Sequence, residues 1–371
     1  MNYSINPENA IANIGNLYRL KKLMQRAQAG EKLTVGFIGG SITQGSLSST
    51  PETCYAYRVF SWWQQKFPTA RFTYLNAGIG GTTSQFGAAR VNSDLLAYQP
   101  DFVIVEYSVN DENNTHFLET YEGLIRKILY DDNEPAVLIV NSIQYENGNN
   151  AQEQHNKIGK AYQIPCISMK NSIYPLVEAG TIDKSEITPD GLHPNDVGHE
   201  LVADIITYFL EKVLKDIKLE EIPAKEKNNS ITKNTYQNSI RYQNYSSNYV
   251  SNGFVADTSK QETITQFFKN GWTADKIGES IIFEVEGTGI AVQYRKSIHK
   301  PTPMALAIVD DEDENAVILD GNFKEDWGDC LYLQTITEGM DKKKHKVEIR
   351  ITQTHENDAV PFYLVSIIGT N

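Results

Sequence analysis

Cysteine is scarce in this sequence, and its few copies form no pairing pattern. The three thiols, at positions 54, 166 and 330, lie far apart, and no CxxC spacing occurs. This argues against a disulfide scaffold and favours reduced thiols in a cytoplasmic protein. Residues 1–27 also lack the basic head and apolar block that are typical of a secretory signal. We therefore expect a cytoplasmic location.

Positive charge and long apolar runs are also in short supply. The 34 Lys and Arg residues are outnumbered by 47 Asp and Glu residues, giving a formal net charge of −13. An acidic chain is poorly suited to a nucleic-acid backbone or an anionic membrane surface. No apolar run is long enough for a membrane span. We expect neither nucleic acid nor membrane as a partner, and the sequence does not indicate an oligomeric state.

The patterns that are present predict two domains in this 371-residue chain. β-rich runs alternate with helical stretches over residues 34–215, which predicts an open parallel sheet with helices on both faces, an α/β domain spanning residues 1–215. Ligands bind such sheets at the carboxyl ends of the strands. A polar linker is expected at 216–252 and an antiparallel β-sandwich at 253–371, where short strands follow one another between turns.

The stretch TVGFIGGSITQG carries a serine where the first predicted strand ends. A phosphate-binding P-loop would need Lys after its second glycine, but Gly45 is followed by Ser46. The nucleophile elbow G-x-S-x-G is excluded because position 43 is Thr. On its own, Ser41 remains either a nucleophile or an incidental residue in a glycine turn.

Two further strand ends carry groups that could stabilise an oxyanion. NAGIGGTTS begins like a dinucleotide-binding fingerprint, but its third glycine position is Thr83. Its glycines either offer a backbone N–H to an oxyanion or serve close packing. In SVND, Asn110 can donate an amide hydrogen bond, although Asn-Asp also commonly forms a turn or a helix cap.

The loop DGLHPND precedes the last predicted helix, 196–215, with Asp196 as its expected N-cap. Asp190 and His193 lie three residues apart there. A serine nucleophile needs a base such as imidazole, and the imidazole needs an acceptor that fixes its tautomer. The alternative is a turn with a solvated histidine. His199 lies alone on the last predicted helix, and we interpret it as a structural residue or a surface residue.

Together the four blocks resemble the SGNH (GDSL) hydrolases, whose fold is a flavodoxin-like, three-layer α/β/α sandwich. The resemblance covers residues 34–215. It implies a catalytic triad of Ser41, Asp190 and His193. It also implies an oxyanion hole made by the Ser41 and Gly81 backbone N–H groups and the Asn110 side chain.

One departure from that family lies next to the serine. The residue before the nucleophile is usually acidic, whereas here it is Gly40, which puts the local loop geometry in question. No HExxH or paired Cys/His spacing indicates a metal, and DDEDEN has Ala316 where a calcium-binding EF-hand needs Gly. The resemblance requires no metal and no organic cofactor.

The C-terminal strands resemble the jelly-roll carbohydrate-binding modules of polysaccharide esterases. Trp327, in the turn NFKEDWGD, is a candidate platform for a sugar ring or, equally, a ring buried against the first domain. Trp272 is expected in the core. The layout is similar to bacterial mannan acetylesterases, which implies removal of acetyl groups from an acetylated oligosaccharide. The alternatives are a lipid or thioester hydrolase, a xylan acetylesterase, and a glycan-binding protein on an inactive hydrolase scaffold.

Overall fold

Buried apolar segments form a six-stranded sheet in the first unit of the chain, residues 1–234. The computed structural model describes residues 3–219 and 229–371. The strands Phe102–Glu106 and Ala136–Asn141 are buried along their whole length, as parallel strands covered on both faces must be. The strands are β1 (Ile11–Asn13), β2 (Lys32–Gly39), β3 (Arg71–Gly78), β4 (Phe102–Glu106), β5 (Ala136–Asn141) and β6 (Cys166–Ser168).

The order of this sheet is β1-β6-β5-β4-β2-β3. The pairs from β3 to β6 are parallel, which confirms the expected parallel sheet. The short strand β1, which the sequence did not reveal, adds an antiparallel edge beside β6. β2 lies between β3 and β4, so the direction in which strands are added reverses at β2. In open α/β sheets, ligands bind at the carboxyl ends of the strands where the strand order reverses.

Helices cover the sheet on both faces. α1 and α3 pack against α9 on one face, while α4, α5 and α6 pack in succession on the other. None of the helices in the described ranges is long and apolar enough to cross a membrane. The helices are α1 (Tyr18–Gln28), α2 (Ser41–Gln44), α3 (Tyr55–Lys66), α4 (Ser84–Asp94), α5 (Thr115–Leu129), α6 (Gln152–Ala161), α7 (Tyr174–Glu178), α8 (Lys184–Ile187) and α9 (Asp196–Lys215).

The expected cap of α9 was wrong by one residue. Asn195 is the N-cap, and its side chain accepts from the backbone N–H groups of Val197 and Gly198, both at 3.1 Å. The Asp196 carboxylate instead accepts hydrogen bonds from Ser49 and Thr53. Asp196 therefore fixes the loop that follows α2, rather than the start of its own helix.

The second unit, residues 235–371, is an antiparallel β-sandwich. One sheet has the order β15-β12-β17-β10-β9 with β7 added on β17, and the other has the order β14-β13-β16-β11-β8. Trp272 is fully buried, as expected, and meets Phe283 of the opposite sheet edge to face at 5.1 Å. The strands are β7 (Ile240–Tyr242), β8 (Tyr249–Asn252), β9 (Val255–Ala256), β10 (Trp272–Ala274), β11 (Ser280–Gly287), β12 (Gly289–Lys296), β13 (Met304–Val309), β14 (Val317–Asp320), β15 (Cys330–Thr337), β16 (Lys343–Gln353) and β17 (Phe362–Thr370).

The segment expected to be a linker, 216–252, differs in its second half. It contains β7 and β8, and Tyr249 of β8 packs edge to face on Trp272 at 5.2 Å. No residue of these two strands is fully buried, and Ile240 and Val250 are exposed, so the strands show no alternation of buried apolar and exposed polar residues. Earlier in the segment, the backbone N–H groups of Ile231 and Thr232 donate to the buried Glu122 of α5 at 2.7 and 2.9 Å. Residues 220–228 of the expected linker lie outside the described residues.

Candidate active site

Ser41 lies where β2 ends and α2 begins, at the reversal of the sheet order. As the first residue of a helix, Ser41 has a backbone N–H with no acceptor inside that helix. Its side chain is sheltered, since the residue is only 8% exposed. The fold therefore presents a hydroxyl, and a backbone N–H that has no acceptor among the described residues, at the edge where such sheets bind ligands.

The loop before α9 brings a histidine to this serine. His193 Nε2 is 2.8 Å from Ser41 Oγ, and His193 Nδ1 is 2.6 Å from Asp190 Oδ2. The three side chains form one hydrogen-bonded chain. With the proton on Nδ1 donated to Asp190, Nε2 is free to accept the proton of the Ser41 hydroxyl.

Asp190 is held in place by bonds from its own loop. Its Oδ1 accepts from the backbone N–H groups of Leu192 and His193 at 2.9 and 2.7 Å, and from the Thr188 hydroxyl at 3.2 Å. Burial alone would raise the pKa of Asp190, but the hydrogen bonds from the His193 side chain and the two backbone N–H groups outweigh it and lower the pKa. The carboxylate therefore stays ionised beside the imidazole.

The turn after β3 packs directly against Ser41. A Cβ placed on Gly80 would lie 3.5 Å from Ser41 Cβ, and the Gly80 N–H donates to Gln44 of α2 at 2.6 Å. Gly81 has φ +68°, a left-handed conformation that favours glycine. No described residue accepts a hydrogen bond from the Gly81 N–H. This turn thus places an unpaired backbone donor next to the serine loop.

Asn110 reaches the same loop from the end of β4, and its position explains Gly40. A Cβ on residue 40 would lie 2.3 Å from Asn110 Oδ1, closer than any real contact allows. The family's acidic side chain could not fit at position 40 without displacing the Asn110 carboxamide. Gly40 therefore leaves room for the Asn110 carboxamide beside the residue that precedes Ser41, and an acidic side chain at position 40 would require that carboxamide to shift.

A buried arginine joins the strand ends beneath the site. The Arg90 side chain is fully buried, and its Nη2 donates to the carbonyls of Gly39 and Ala77 at 3.3 and 2.7 Å. The same nitrogen donates to the Tyr107 hydroxyl at 2.9 Å. Arg90 therefore ties the carboxyl ends of β2 and β3 to the segment that leads to Asn110.

A buried glutamate that was not among the candidate residues of the sequence also supports the serine loop. Glu106 ends β4 with no exposed surface, and Thr43 of α2 donates to it at 3.5 Å. Burial is the main cause that raises the pKa of Glu106 to about 7. The available signal was one carboxylate closing the apolar run FVIVE. A charged residue at the end of a buried strand is unusual enough to mark a site edge.

The remaining candidates have separate surroundings. His199 is fully buried, accepts from the Tyr55 N–H and donates to the Ser46 carbonyl, both at 3.3 Å, so it is structural. Trp327 belongs to the second unit, where it is 59% exposed and packs edge to face on Phe323 at 5.0 Å. Its indole N–H donates to Glu325. The indole ring is thus held by two neighbours while much of its surface is open to solvent.

Comparison with known proteins places this site in a family. The GDSL-like lipase/acylhydrolase family matches residues 37–201, the segment that carries Ser41, Gly81, Asn110 and Asp190–His193. A solved two-domain esterase, active on acetylated mannans and co-crystallised with mannopentaose, is 59% identical to this chain. The match covers 100% of this chain and 99% of that one, with a TM-score of 0.95. The chain belongs to the GDSL-like lipase/acylhydrolase family.

More distant relatives of this GDSL-family protein match only about half of the chain. The thioesterase 1/protease 1/lysophospholipase L1 of Escherichia coli (strain K12) is 26% identical over 216 residues, which is 54% of this chain and 97% of that protein. An acetylxylan esterase of Geobacillus stearothermophilus is 26% identical over 204 residues, 47% of this chain and 91% of that protein. The two-domain layout is shared with the mannan esterase.

Proposed function

We propose that this protein is a serine esterase that removes O-acetyl groups from oligosaccharides, most specifically from acetylated mannans. The hydrogen-bonded chain Ser41–His193–Asp190 is the observation that carries the proposal, because it supplies a nucleophile and its base in contact. The substrate class rests on the similarity, across both units, to an esterase active on acetylated mannans.

The proposed mechanism uses these groups in turn. His193 Nε2 takes the Ser41 proton as the hydroxyl oxygen attacks the acetyl carbonyl carbon. The negative charge on the carbonyl oxygen is stabilised by the Ser41 and Gly81 N–H groups and the Asn110 amide. When the C–O bond to the sugar breaks, His193 returns the proton to the departing sugar oxygen. Asp190 stabilises the imidazolium between these steps.

Hydrolysis of the acetyl-enzyme repeats the roles of the same residues. His193 removes a proton from water as its oxygen attacks the acetyl group on Ser41. The tetrahedral intermediate then releases acetate, and Ser41 recovers its proton from His193. A histidine base must be neutral to start either half of the cycle, so the rate of hydrolysis is expected to fall at acid pH.

The second unit favours a glycan over a lipid. The thioesterase/lysophospholipase and acetylxylan esterase relatives match 54% and 47% of this chain, whereas the mannan esterase matches all of it. A glycan-binding protein on an inactive scaffold is disfavoured, because Ser41 and His193 are within hydrogen-bonding distance. A lipid hydrolase remains the second candidate.

The substrate class can be tested by acid release from three substrates. The protein would be incubated with acetylated manno-oligosaccharides, acetylated xylo-oligosaccharides and a lysophospholipid, and acetate or fatty acid would be quantified. We expect acetate release to be fastest from the mannan oligosaccharides. Equal or faster release from xylan would move the substrate to xylan, and fatty acid without acetate would replace the proposal with the lipid hydrolase.

We further propose that Trp327 binds a sugar ring on its exposed surface. This proposal is supported by the exposure of the indole. The edge-to-face contact with Phe323 and the hydrogen bond to Glu325 also hold the indole in one orientation. Trp327→Ala is expected to raise KM for acetylated manno-oligosaccharides by about 10-fold, the equivalent of roughly 1.4 kcal/mol. Trp327→Phe is the matched control that keeps an aromatic face. An unchanged KM in Trp327→Ala would contradict this role, while KM for 4-nitrophenyl acetate should not change.

A cytoplasmic location remains a prediction. It is supported by Cys54, Cys166 and Cys330, which are all free and buried. Burial raises the pKa of each thiol to about 11 or 12. Fractionation of the cells that produce the protein would check it.

A further inference from the structure

A second histidine–aspartate pair lies in the first unit, outside the proposed chemistry. His155 Nε2 is 3.1 Å from Asp111 Oδ2, and both side chains are completely buried. A buried polar pair has to be well bonded to offset the loss of solvation. The mechanism above uses neither residue, although Asp111 directly follows Asn110 in the chain.

The Asp111 carboxylate connects two loops of the site. Its second oxygen, Oδ1, accepts from the backbone N–H of Ser84 at 2.9 Å. Ser84 is the first residue of α4, and the N-cap residue of that helix, Thr83, makes no side-chain capping bond. Asp111 thus caps α4 from another loop, where a negative charge is favourable. Ser84 lies three residues after Gly81, so one carboxylate holds the segments that carry Gly81 and Asn110.

His155 fixes the direction of that carboxylate. Its ring stacks on Tyr121 with centroids 3.5 Å apart and planes 8° apart. No described residue forms a hydrogen bond with His155 Nδ1. The proton is therefore on Nε2 and is donated to Asp111. Because the ring is buried and its other nitrogen is unpaired, His155 acts on the reaction only through Asp111.

We propose that Asp111 and His155 form a positioning pair that keeps the Asn110 amide and the Gly81 N–H in place as donors to the oxyanion. This inference rests on the proposed function in one respect, since it takes both groups as oxyanion donors. It goes further by assigning a role in the reaction to two buried residues that touch no substrate.

The test replaces His155 and follows the hydrolysis of 4-nitrophenyl acetate. His155→Phe keeps an aromatic ring against Tyr121 but removes the hydrogen bond to Asp111. We expect kcat to fall roughly 10-fold with KM little changed, because full loss of one oxyanion donor costs about 10²-fold or more. His155→Gln keeps an N–H donor and should therefore recover much of kcat. It also keeps the proposal testable if His155→Phe does not fold. Ile158→Val, a buried change on the same helix, controls for loss of packing.

A double-mutant cycle distinguishes positioning from general destabilisation. If His155 acts in part through Asn110, the loss of kcat in His155→Phe should become smaller when Asn110 is already Ala, and what remains is the share that acts through Gly81. Losses that multiply, or a wild-type kcat in both His155 variants, would overturn the inference. An unchanged kcat in Asn110→Ala alone would also overturn it. The acetyl-ester probe is independent of the sugar, so failure of the mannan assignment would leave this result readable.

Discussion

Two histidine–aspartate pairs in the same unit differ in what surrounds them. His193 and Asp190 keep 22% and 45% of their side-chain surface exposed, whereas His155 and Asp111 keep none. The second ring nitrogen of His193 meets the Ser41 hydroxyl at 2.8 Å. The second ring nitrogen of His155 meets no partner among the described residues.

The difference shows that the third partner decides what a histidine–aspartate pair does. In both pairs the aspartate fixes the tautomer of the ring through one oxygen and accepts backbone N–H groups through the other. Only the exposed pair has a hydroxyl group at the remaining ring nitrogen. The buried pair can act only on the backbone that it holds, so it is a support and not a base.

The same substitution in the two pairs should give the largest contrast. In Asp190→Asn, the amide oxygen remains with the backbone N–H groups of Leu192 and His193, so the NH₂ group faces His193 Nδ1. That forces the proton onto Nε2, which can no longer accept from Ser41. We expect kcat for 4-nitrophenyl acetate to fall on the order of 10³- to 10⁴-fold, as removal of a triad aspartate does elsewhere.

Asp111→Asn is the matched variant in the buried pair. Its amide oxygen remains with the Ser84 N–H, and the NH₂ group forces the same change of tautomer on His155. We expect only a roughly 10-fold loss of kcat, because the base is untouched and the donors are merely less well placed. Comparable losses in the two aspartate variants would break the distinction between the pairs.

The first pair was predictable from the sequence, and the second was not. Asp190 and His193 lie three residues apart in one loop, and the resemblance of all four blocks to the SGNH hydrolases, rather than this loop alone, pointed to them. Asp111 and His155 lie 44 residues apart and meet only because β4, β5 and α6 are adjacent in the fold. In the same way, the missing acid at position 40 is understood only once the Asn110 side chain is seen beside it.

The fold, too, could be predicted from the sequence only in part. The parallel strands and most of the helices of the first unit follow from apolar runs and their spacing. The strands β7 and β8 lie within a stretch whose polar composition predicts a linker, because only a few of their side chains face the core. The roles of Glu106 and Arg90 are also not visible from their local sequence, since their partners, Thr43 of α2 and the Ala77 carbonyl of β3, are distant in the chain.

A third buried histidine and a buried glutamate extend the comparison to pH, with smaller expected effects. Burial lowers the pKa of His199 to about 4, against about 6.5 when unfolded, so acidification through this range favours the unfolded state. Burial raises the pKa of Glu106 to about 7 from 4.5, so acidification through its range favours the folded state. In the wild type these two contributions oppose each other.

Variants should separate the two contributions. When the pH is lowered from 8 to 5, the free energy of unfolding of His199→Gln should rise by roughly 2 kcal/mol relative to that of the wild type. The free energy of unfolding of Glu106→Gln should fall by a similar amount relative to the wild type. Denaturant unfolding of the three proteins at both pH values measures these differences, and groups common to all three cancel. Shifts of the same sign in both variants would contradict the assigned charge states.

The most direct measurement is acetate release from acetylated manno-oligosaccharides by Ser41→Ala, with Ser46→Ala as the control on the same loop. The account predicts that Ser41→Ala loses activity by about 10⁴-fold or more while its thermal unfolding is unchanged, and that Ser46→Ala stays near the wild type. Acetate release at the wild-type rate by folded Ser41→Ala would contradict the account.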